Sequence, residues 1–208
     1  MGSGSFVSLI YGLDALESFF LKKLDEKVLF PARFRMLTNW LAPYLRDCQK
    51  ILDVGSSDGR LAKCLQAAVG GEFIGVDVLV QPNPAIQVER YDGKRLPFEQ
   101  KLFDCVMMID MLHHAENQGE LLAEARRVSR KYILIKDHYW KNWLDFQVLK
   151  IADYIGNKPY GVNLPYRYKT LEAWEQMFRR HGLKEVKRKV FRFTPIDPTK
   201  QVIFKLTI

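Results

Sequence analysis

Residues 51–59 read Ile-Leu-Asp-Val-Gly-Ser-Ser-Asp-Gly. A short apolar run enters a turn with two glycines, and a helical pattern from Arg60 to about Ala68 follows at once. A strand, turn and helix in this order lay a ligand across the carboxyl end of the strand. Gly55 allows the chain to turn tightly and approach a ligand closely, and Gly59 lets the new helix pack against the strand. A dinucleotide site would space its glycines as G-x-G-x-x-G and seat a pyrophosphate on the helix N-terminus. Here the small residues fall at 55, 57 and 59, and carboxylates sit at Asp53 and Asp58. Such a turn suits a cationic ligand better than a phosphate.

Outward from this stretch the chain alternates apolar runs with helical patterns, as a doubly wound α/β sheet requires. Strands are expected near 50–54, 72–77, 87–91, 103–109 and 131–136, with helices between most of them, one from Gly119 to about Ser129. Gln81 to Ile86 carries two prolines, so that crossover is expected to be a loop. A further pair of strands is expected near 185–193 and 201–207, joined by a turn through Pro195-Ile196-Asp197-Pro198. Ahead of the first strand, apolar residues at 6, 10, 13, 16, 20, 24 and 28 fit amphipathic helices, and Pro31 opens another through about Tyr44. These helices are read as a lid or packing layer. A membrane-surface role is disfavoured because acids at 14, 17, 25 and 26 mix with the bases.

The acidic-x-Gly-x-small-x-Gly pattern after an apolar strand resembles motif I of the class I S-adenosylmethionine-dependent methyltransferases, with Ser57 in place of the middle glycine. Phe73-Ile74-Gly75-Val76-Asp77 looks like the second strand, ending in an acid 22 positions after Gly55. Tyr91-Asp92-Gly93 looks like the third-strand segment, and Phe103 to Ile109 with Asp110-Met111-Leu112-His113-His114 looks like the fourth strand and its loop, as in the type 11 group. The resemblance implies a Rossmann-like seven-stranded sheet, mostly parallel with an antiparallel C-terminal strand and helices on both faces. It implies S-adenosylmethionine as cofactor and S-adenosylhomocysteine as product. It further implies cofactor contacts from Asp53 at the amino-acid end, Gly55, Ser57 and Gly59 in the turn, and Asp77 on the ribose. Asp92 and Gly93 would face the adenine, and Ile109 and Asp110 would flank the methionine portion.

The chain is read as one domain over 1–208, with a helical cap at 6–47 and a substrate-covering insertion at 137–169. That insertion spans 33 residues and is rich in Trp and Tyr, longer than an ordinary crossover. Within it a helix is expected from Trp143 to about Ile155, ended by Gly156-Asn157, with a loop through 161–166. A helix at Thr170–His181 follows.

Catalytic candidates are His113, Asp137 and His138, with His114 beside them, because all follow the fourth and fifth strands where ligands sit. Histidine is suited to accept a proton near neutral pH. His138 is read as the general base with Asp137 orienting it and His113 next in order; a purely positional mechanism is the alternative. The pair Asp110 and Asp137 sits where metal-dependent O-methyltransferases place carboxylates, but Leu-His-His is not their usual context, so no metal is expected.

Composition narrows the partners. Three cysteines at 48, 64 and 105 have neither metal-ligand nor disulfide spacing, and Cys105 lies in an apolar strand as a core residue. No run approaches 18 apolar residues and no signal peptide is evident, so a cytoplasmic protein without a transmembrane segment is expected. Met1 to Ser5 are set aside from the fold. The net charge is +8, concentrated in 167–208, where eleven Lys or Arg face four acids. Either this is a surface for RNA, or Lys187, Arg188, Lys189 and Arg192 guard an outer strand against edge pairing. The favoured function is methyl transfer to an oxygen or nitrogen of a small molecule. The alternatives are an RNA-modifying methyltransferase and a non-catalytic cofactor-binding regulator.

Overall fold

The computed structural model describes residues 30–157, 164–194 and 197–208. The N-terminal periodicity at 6–28, the first half of the loop at 161–166 and Pro195-Ile196 lie outside these residues.

Seven strands form one sheet: β1 (Lys50–Val54), β2 (Glu72–Asp77), β3 (Val88–Arg90), β4 (Phe103–Ile109), β5 (Ser129–His138), β6 (Lys184–Phe191) and β7 (Gln201–Thr207). Their order is β3-β2-β1-β4-β5-β7-β6. The first five strands pair in parallel, while β7 runs antiparallel to both β5 and β6. The order in which strands are added reverses between β1 and β4, which opens a crevice at their carboxyl ends.

The helices are α1 (Phe30–Leu45), α2 (Arg60–Val69), α3 (Gln118–Val128), α4 (Trp143–Asn157) and α5 (Leu171–Arg180). The period of two along the strands explains where they pack. Leu52 and Val54, Val106 and Met108, Ile133 and Ile135, and Val202 and Phe204 face α3 and α5, meeting Leu122, Ala125, Trp174 and Phe178. Ile51, Cys105, Met107, Leu134 and Ile203 face the other side and meet Leu37, Leu41 and Leu45 of α1 with Ala62 and Leu65 of α2. Helix starts carry their own caps: the Asn117 side chain accepts from Glu120 N–H, and Thr170 Oγ1 accepts from Ala173 N–H.

Asp104, buried at the start of β4, accepts the backbone N–H groups of Gln49 and Lys50 at 2.8 and 3.1 Å and the Arg130 guanidinium at 2.7 Å. It clips the entrances of β1, β4 and β5 together. Cys105 is fully buried, as expected.

Three boundaries differ from the sequence reading. β5 runs to His138 rather than Lys136, because its antiparallel register with β7 continues through Asp137↔Val202 and His138↔Gln201. Asp137 and His138 are therefore strand residues, not loop residues. α4 includes Gly156 and runs to Asn157, two residues past Ile155, and β6 stops at Phe191. Phe193 leaves the strand to stack on Trp40 of α1, ring centroids 5.5 Å apart.

β6 is the outer strand of the sheet. Lys184, Lys187 and Lys189 are exposed on it, while Arg188 is held by Glu175 and Glu185, both at 2.6 Å. This is the pattern of a guarded edge. Among the described residues no helix is long and apolar enough to cross a membrane.

Trp174 is fully buried and stacks on Phe178 and packs against Phe204, at centroid distances of 5.7 and 6.0 Å. Trp174→Ala should destabilise the fold by about 3–5 kcal/mol, lowering the urea midpoint with little change in slope.

Candidate active site

The carboxyl ends of β1, β2, β4 and β5 bring four acids to one edge: Asp53, Asp77, Asp110 and Asp137. β1 ends in the quoted turn, where Gly55 has φ +76°. A Cβ there would fall 2.8 Å from Met111 Cβ, so only glycine lets the turn lie against the segment after β4. Gly59, at φ +71°, has Ile86 Cγ1 2.7 Å from where its Cβ would be. Ser57 also sits at positive φ, +52°, which explains why a small residue stands where the related motif has glycine.

Ser57 N–H donates to Asp77 Oδ2 at 2.8 Å, and Leu79 N–H donates to Oδ1 at 2.9 Å. These bonds tie the end of β2 to the β1 turn and fix the Asp77 carboxylate while leaving lone pairs on both oxygens. Asp92 is exposed, and its Oδ1 accepts from Lys94 and Arg95 N–H, closing a turn at Gly93, φ +78°.

Asp53 is almost completely buried and accepts a hydrogen bond from Ser56 Oγ at 2.9 Å. Burial pushes its carboxyl up to about 7, with the Asp77 charge adding to the effect and the Ser56 bond opposing it. Gly75 on the neighbouring strand makes room for this pair, since a Cβ there would lie 2.6 Å from Ser56 Oγ.

Asp110 adopts φ +53° and bonds through its backbone N–H to Lys136 O at 2.8 Å. Its Oδ1 receives the fully buried Lys136 Nζ at 2.5 Å, and its Oδ2 receives Arg33 of α1 at 3.0 Å. The two cations hold its carboxyl far below the usual range against the burial that opposes them. The same burial lowers the Lys136 ammonium.

A short turn at Leu112–His114 follows. His113 is buried, and its Nδ1 lies 2.6 Å from Asp137 Oδ1. Asp137 Oδ1 also accepts His138 N–H at 2.7 Å, and Asp137 Oδ2 has no hydrogen-bond partner. His113 and its neighbours hold the Asp137 carboxyl well below its usual range despite burial. Burial draws the His138 ring down from its ordinary value, so it stays neutral near pH 7. Its Nδ1 is 3.6 Å from Asp110 Oδ1 and 3.7 Å from Asp137 Oδ1.

The insertion closes over this cluster. Tyr139 and Lys169 form a bridge at its two ends, and Trp140 Nε1–H donates to Tyr168 O at 3.1 Å. Gln118 Nε2 donates to both Leu112 O and Arg167 O, at 2.9 and 3.0 Å, lacing the returning chain to the histidine turn. Asp153 of α4 points inward, with its Oδ1 3.7 Å from His114 Nε2 and 4.0 Å from His113 Nε2. Tyr168 stacks on His113, centroids 4.8 Å apart. The outer face of α4 is apolar, with Trp143, Leu144, Ile151, Tyr154 and Ile155 all more than half exposed.

A methyltransferase domain model matches residues 52–132. The ubiquinone/menaquinone biosynthesis C-methyltransferase UbiE of Cupriavidus metallidurans is 28% identical over 144 residues. That match takes in 60% of this chain and 59% of the relative, so less than two thirds of the relative's length is represented. Over this span the chain is similar to the class I S-adenosylmethionine-dependent methyltransferases. Solved methyltransferases share the fold. The 1,6-didemethyltoxoflavin-N1-methyltransferase of Burkholderia thailandensis, with S-adenosylhomocysteine bound, superposes with a TM-score of 0.66 at 15% identity, covering 100% of this chain and 91% of that one. An S-adenosylmethionine-dependent methyltransferase of Thermotoga maritima gives 0.62 at 20% identity, covering 90% and 96%.

The methyltransferase cofactor is a cation with an ammonium, a ribose and an adenine. The glycine-lined turn, the fixed Asp77 carboxylate and the buried Asp53 carboxyl fit such a group. Of the residues expected at this methyltransferase site, Asp53, Gly55, Ser57, Gly59 and Asp77 come together around the β1 turn. Asp92 and Gly93 form the turn after β3. Ile109, Asp110, His113, Asp137 and His138 form a second cluster at the ends of β4 and β5. Sequence reading gave no role to Ser56, Lys136 or Arg33, and gave Asp153 and Tyr168 only a place in the insertion. A lysine at the end of an otherwise apolar strand was the one visible signal.

Because Asp53 is held above its unfolded value of about 3.8, its protonated form favours the native state. That contribution is full below about pH 4 and is lost as pH rises toward 7. Ionising it costs the ligand-free fold on the order of 4 kcal/mol. Asp53→Asn should flatten this fall, measured by urea unfolding between pH 5 and 8.

Proposed function

We propose that the chain transfers the methyl group of S-adenosylmethionine to an oxygen or nitrogen of a small-molecule acceptor. The observation that carries this reading is the line of oriented acids from Asp53 through Asp77 to Asp110, ending at a partly buried His138. In this reading Asp77 accepts the ribose hydroxyls, the Asp92-Gly93 turn meets the adenine, and Asp53 and the Gly55–Gly59 turn take the amino-acid end. Ile109 and Asp110 flank the methionine portion. Bound there, the cofactor supplies an already activated sulfonium methyl, so much of the barrier falls by positioning the acceptor in line and excluding water.

An acceptor hydroxyl must also lose its proton, and His138 is assigned that task. Asp137 positions it through the backbone N–H bond, and His113, locked against Asp137 and buried, supports the pair from behind. The insertion covers the acceptor, with Trp140, Phe146 and Tyr168 as its aromatic wall. The UbiE relative's name describes a C-methyltransferase, which supports a second reading: a ring carbon activated by loss of a neighbouring hydroxyl proton. His138 would serve either acceptor. The pairing of Arg188 with Glu175 and Glu185 weakens the case for an RNA face.

Asp77→Ala should weaken S-adenosylhomocysteine binding at least about tenfold with the fold intact, read by calorimetric titration. His138→Ala should lower kcat about 100-fold or more, while cofactor affinity changes less than about threefold. Methyl-labelled cofactor with a fractionated cell extract supplies the acceptor for that assay. Uptake of a nicotinamide dinucleotide in place of the adenosyl cofactor would overturn the reading.

A further inference from the structure

We propose that His113, His114 and Asp153 form a binding site for a divalent first-row metal ion of borderline hardness, such as Zn²⁺, Mn²⁺ or Co²⁺. The site is separate from the paired carboxylates that metal-dependent O-methyltransferases use. Asp110 is taken up by Lys136 and Arg33, and Asp137 by His113 and the backbone of His138.

Three ligand atoms converge. Nε2 of His113, Nε2 of His114 and Oδ1 of Asp153 all lie within 4.8 Å of one another. Asp153 Oδ1 is 4.0 Å from the first and 3.7 Å from the second. Ions of this class bind imidazole nitrogen and carboxylate oxygen at about 2.0–2.2 Å, so the three ligand atoms, 3.7 Å, 4.0 Å and at most 4.8 Å apart, draw together as the ion enters. His114 is partly exposed.

The surrounding groups are those a metal site requires. Asp137 is fully buried, and its Oδ1, 2.6 Å from His113 Nδ1, is placed to accept a hydrogen bond from that ring. With Nδ1 as the donor and an ion in place of the Nε2 proton, Nε2 faces Asp153 in the carboxylate–histidine–metal arrangement. The Tyr168 hydroxyl bonds to the Asp153 carboxylate, and its ring covers one face of His113. Two carboxylates, Asp137 and Asp153, are both more than nine-tenths buried around this turn. An ion of charge +2 matches them, and two imidazoles with one carboxylate suit the borderline ions better than Mg²⁺ or Ca²⁺. Three protein ligands leave a coordination position free for water or for an oxygen of the acceptor.

The site does not depend on the methyl-transfer reading, because binding is measured with no cofactor or acceptor present. The whole chain, stripped with chelator, is titrated with Co²⁺ and, by calorimetry, with Zn²⁺ and Mn²⁺. One equivalent of Co²⁺ should bind and give visible absorption of a nitrogen–oxygen site, without a thiolate charge-transfer band. His114→Ala and Asp153→Asn should each weaken binding at least about tenfold, with circular dichroism unchanged. Cys64→Ser, which removes the exposed thiol, should leave it intact. No stoichiometric binding, a thiolate band, or affinity untouched in both site variants would overturn the proposal. If either variant misfolds, the spectrum of the unaltered chain decides.

Discussion

Lys136 carries its ammonium at the end of the central strand β5 with no exposure to water, and the fold answers it with Asp110. An unpaired ammonium in that position would cost several kcal/mol. Asp110 must therefore stay ionised and turn back toward β5, and it does so at φ +53° with its own N–H on Lys136 O. That reversal ends β4 and throws the chain into the Leu112–His114 turn, which delivers His113 to Asp137. Arg33 supplies a second cation and in doing so draws the start of α1 across the mouth of the crevice. One buried charge thus sets where a strand stops, where a histidine points and where a helix lies.

The carboxyls along this edge are divided by their surroundings. Asp110 and Asp137 are held ionised by neighbouring cations and donors, whereas Asp53 has only a serine hydroxyl against its burial. The site consequently holds a cation-paired carboxylate at the end of β4 and a carboxyl of adjustable charge at the end of β1. Environments that push like groups apart are how one pocket assigns different tasks to the same residue type. At the β1 end, a cationic ligand would bring its own counter-charge to a group that pays heavily for ionising alone.

Much of the sheet was legible because both faces of the central strands are buried, so Ile51 to Val54 and Phe103 to Ile109 read as apolar runs, each broken by a single acid, Asp53 or Asp104. The glycine turn was legible because positive φ and close contact leave few residue choices at 55 and 59. Where β5 ends was not legible. Its last two residues pair with Gln201 and Val202, more than 60 positions away, and local sequence carries no trace of that register. Asp153 was invisible for a similar reason: its inward direction depends on how α4 lies over His113 and His114. Lys136 read as an ordinary strand residue because its partner, Asp110, lies just past the end of another strand.

Gly75 has a role that its position in mid-strand conceals. It leaves the space that Ser56 Oγ occupies, and Ser56 is the side-chain donor to Asp53. Any larger residue on β2 at this point would dislodge that hydroxyl and strip the acid of its donor. The proton affinity of a group in one strand is therefore governed by the absence of a methyl in the next. Positions 53, 56 and 75 are accordingly bound to vary together, and a graft of the β1 turn onto another sheet would need the neighbouring strand's gap as well.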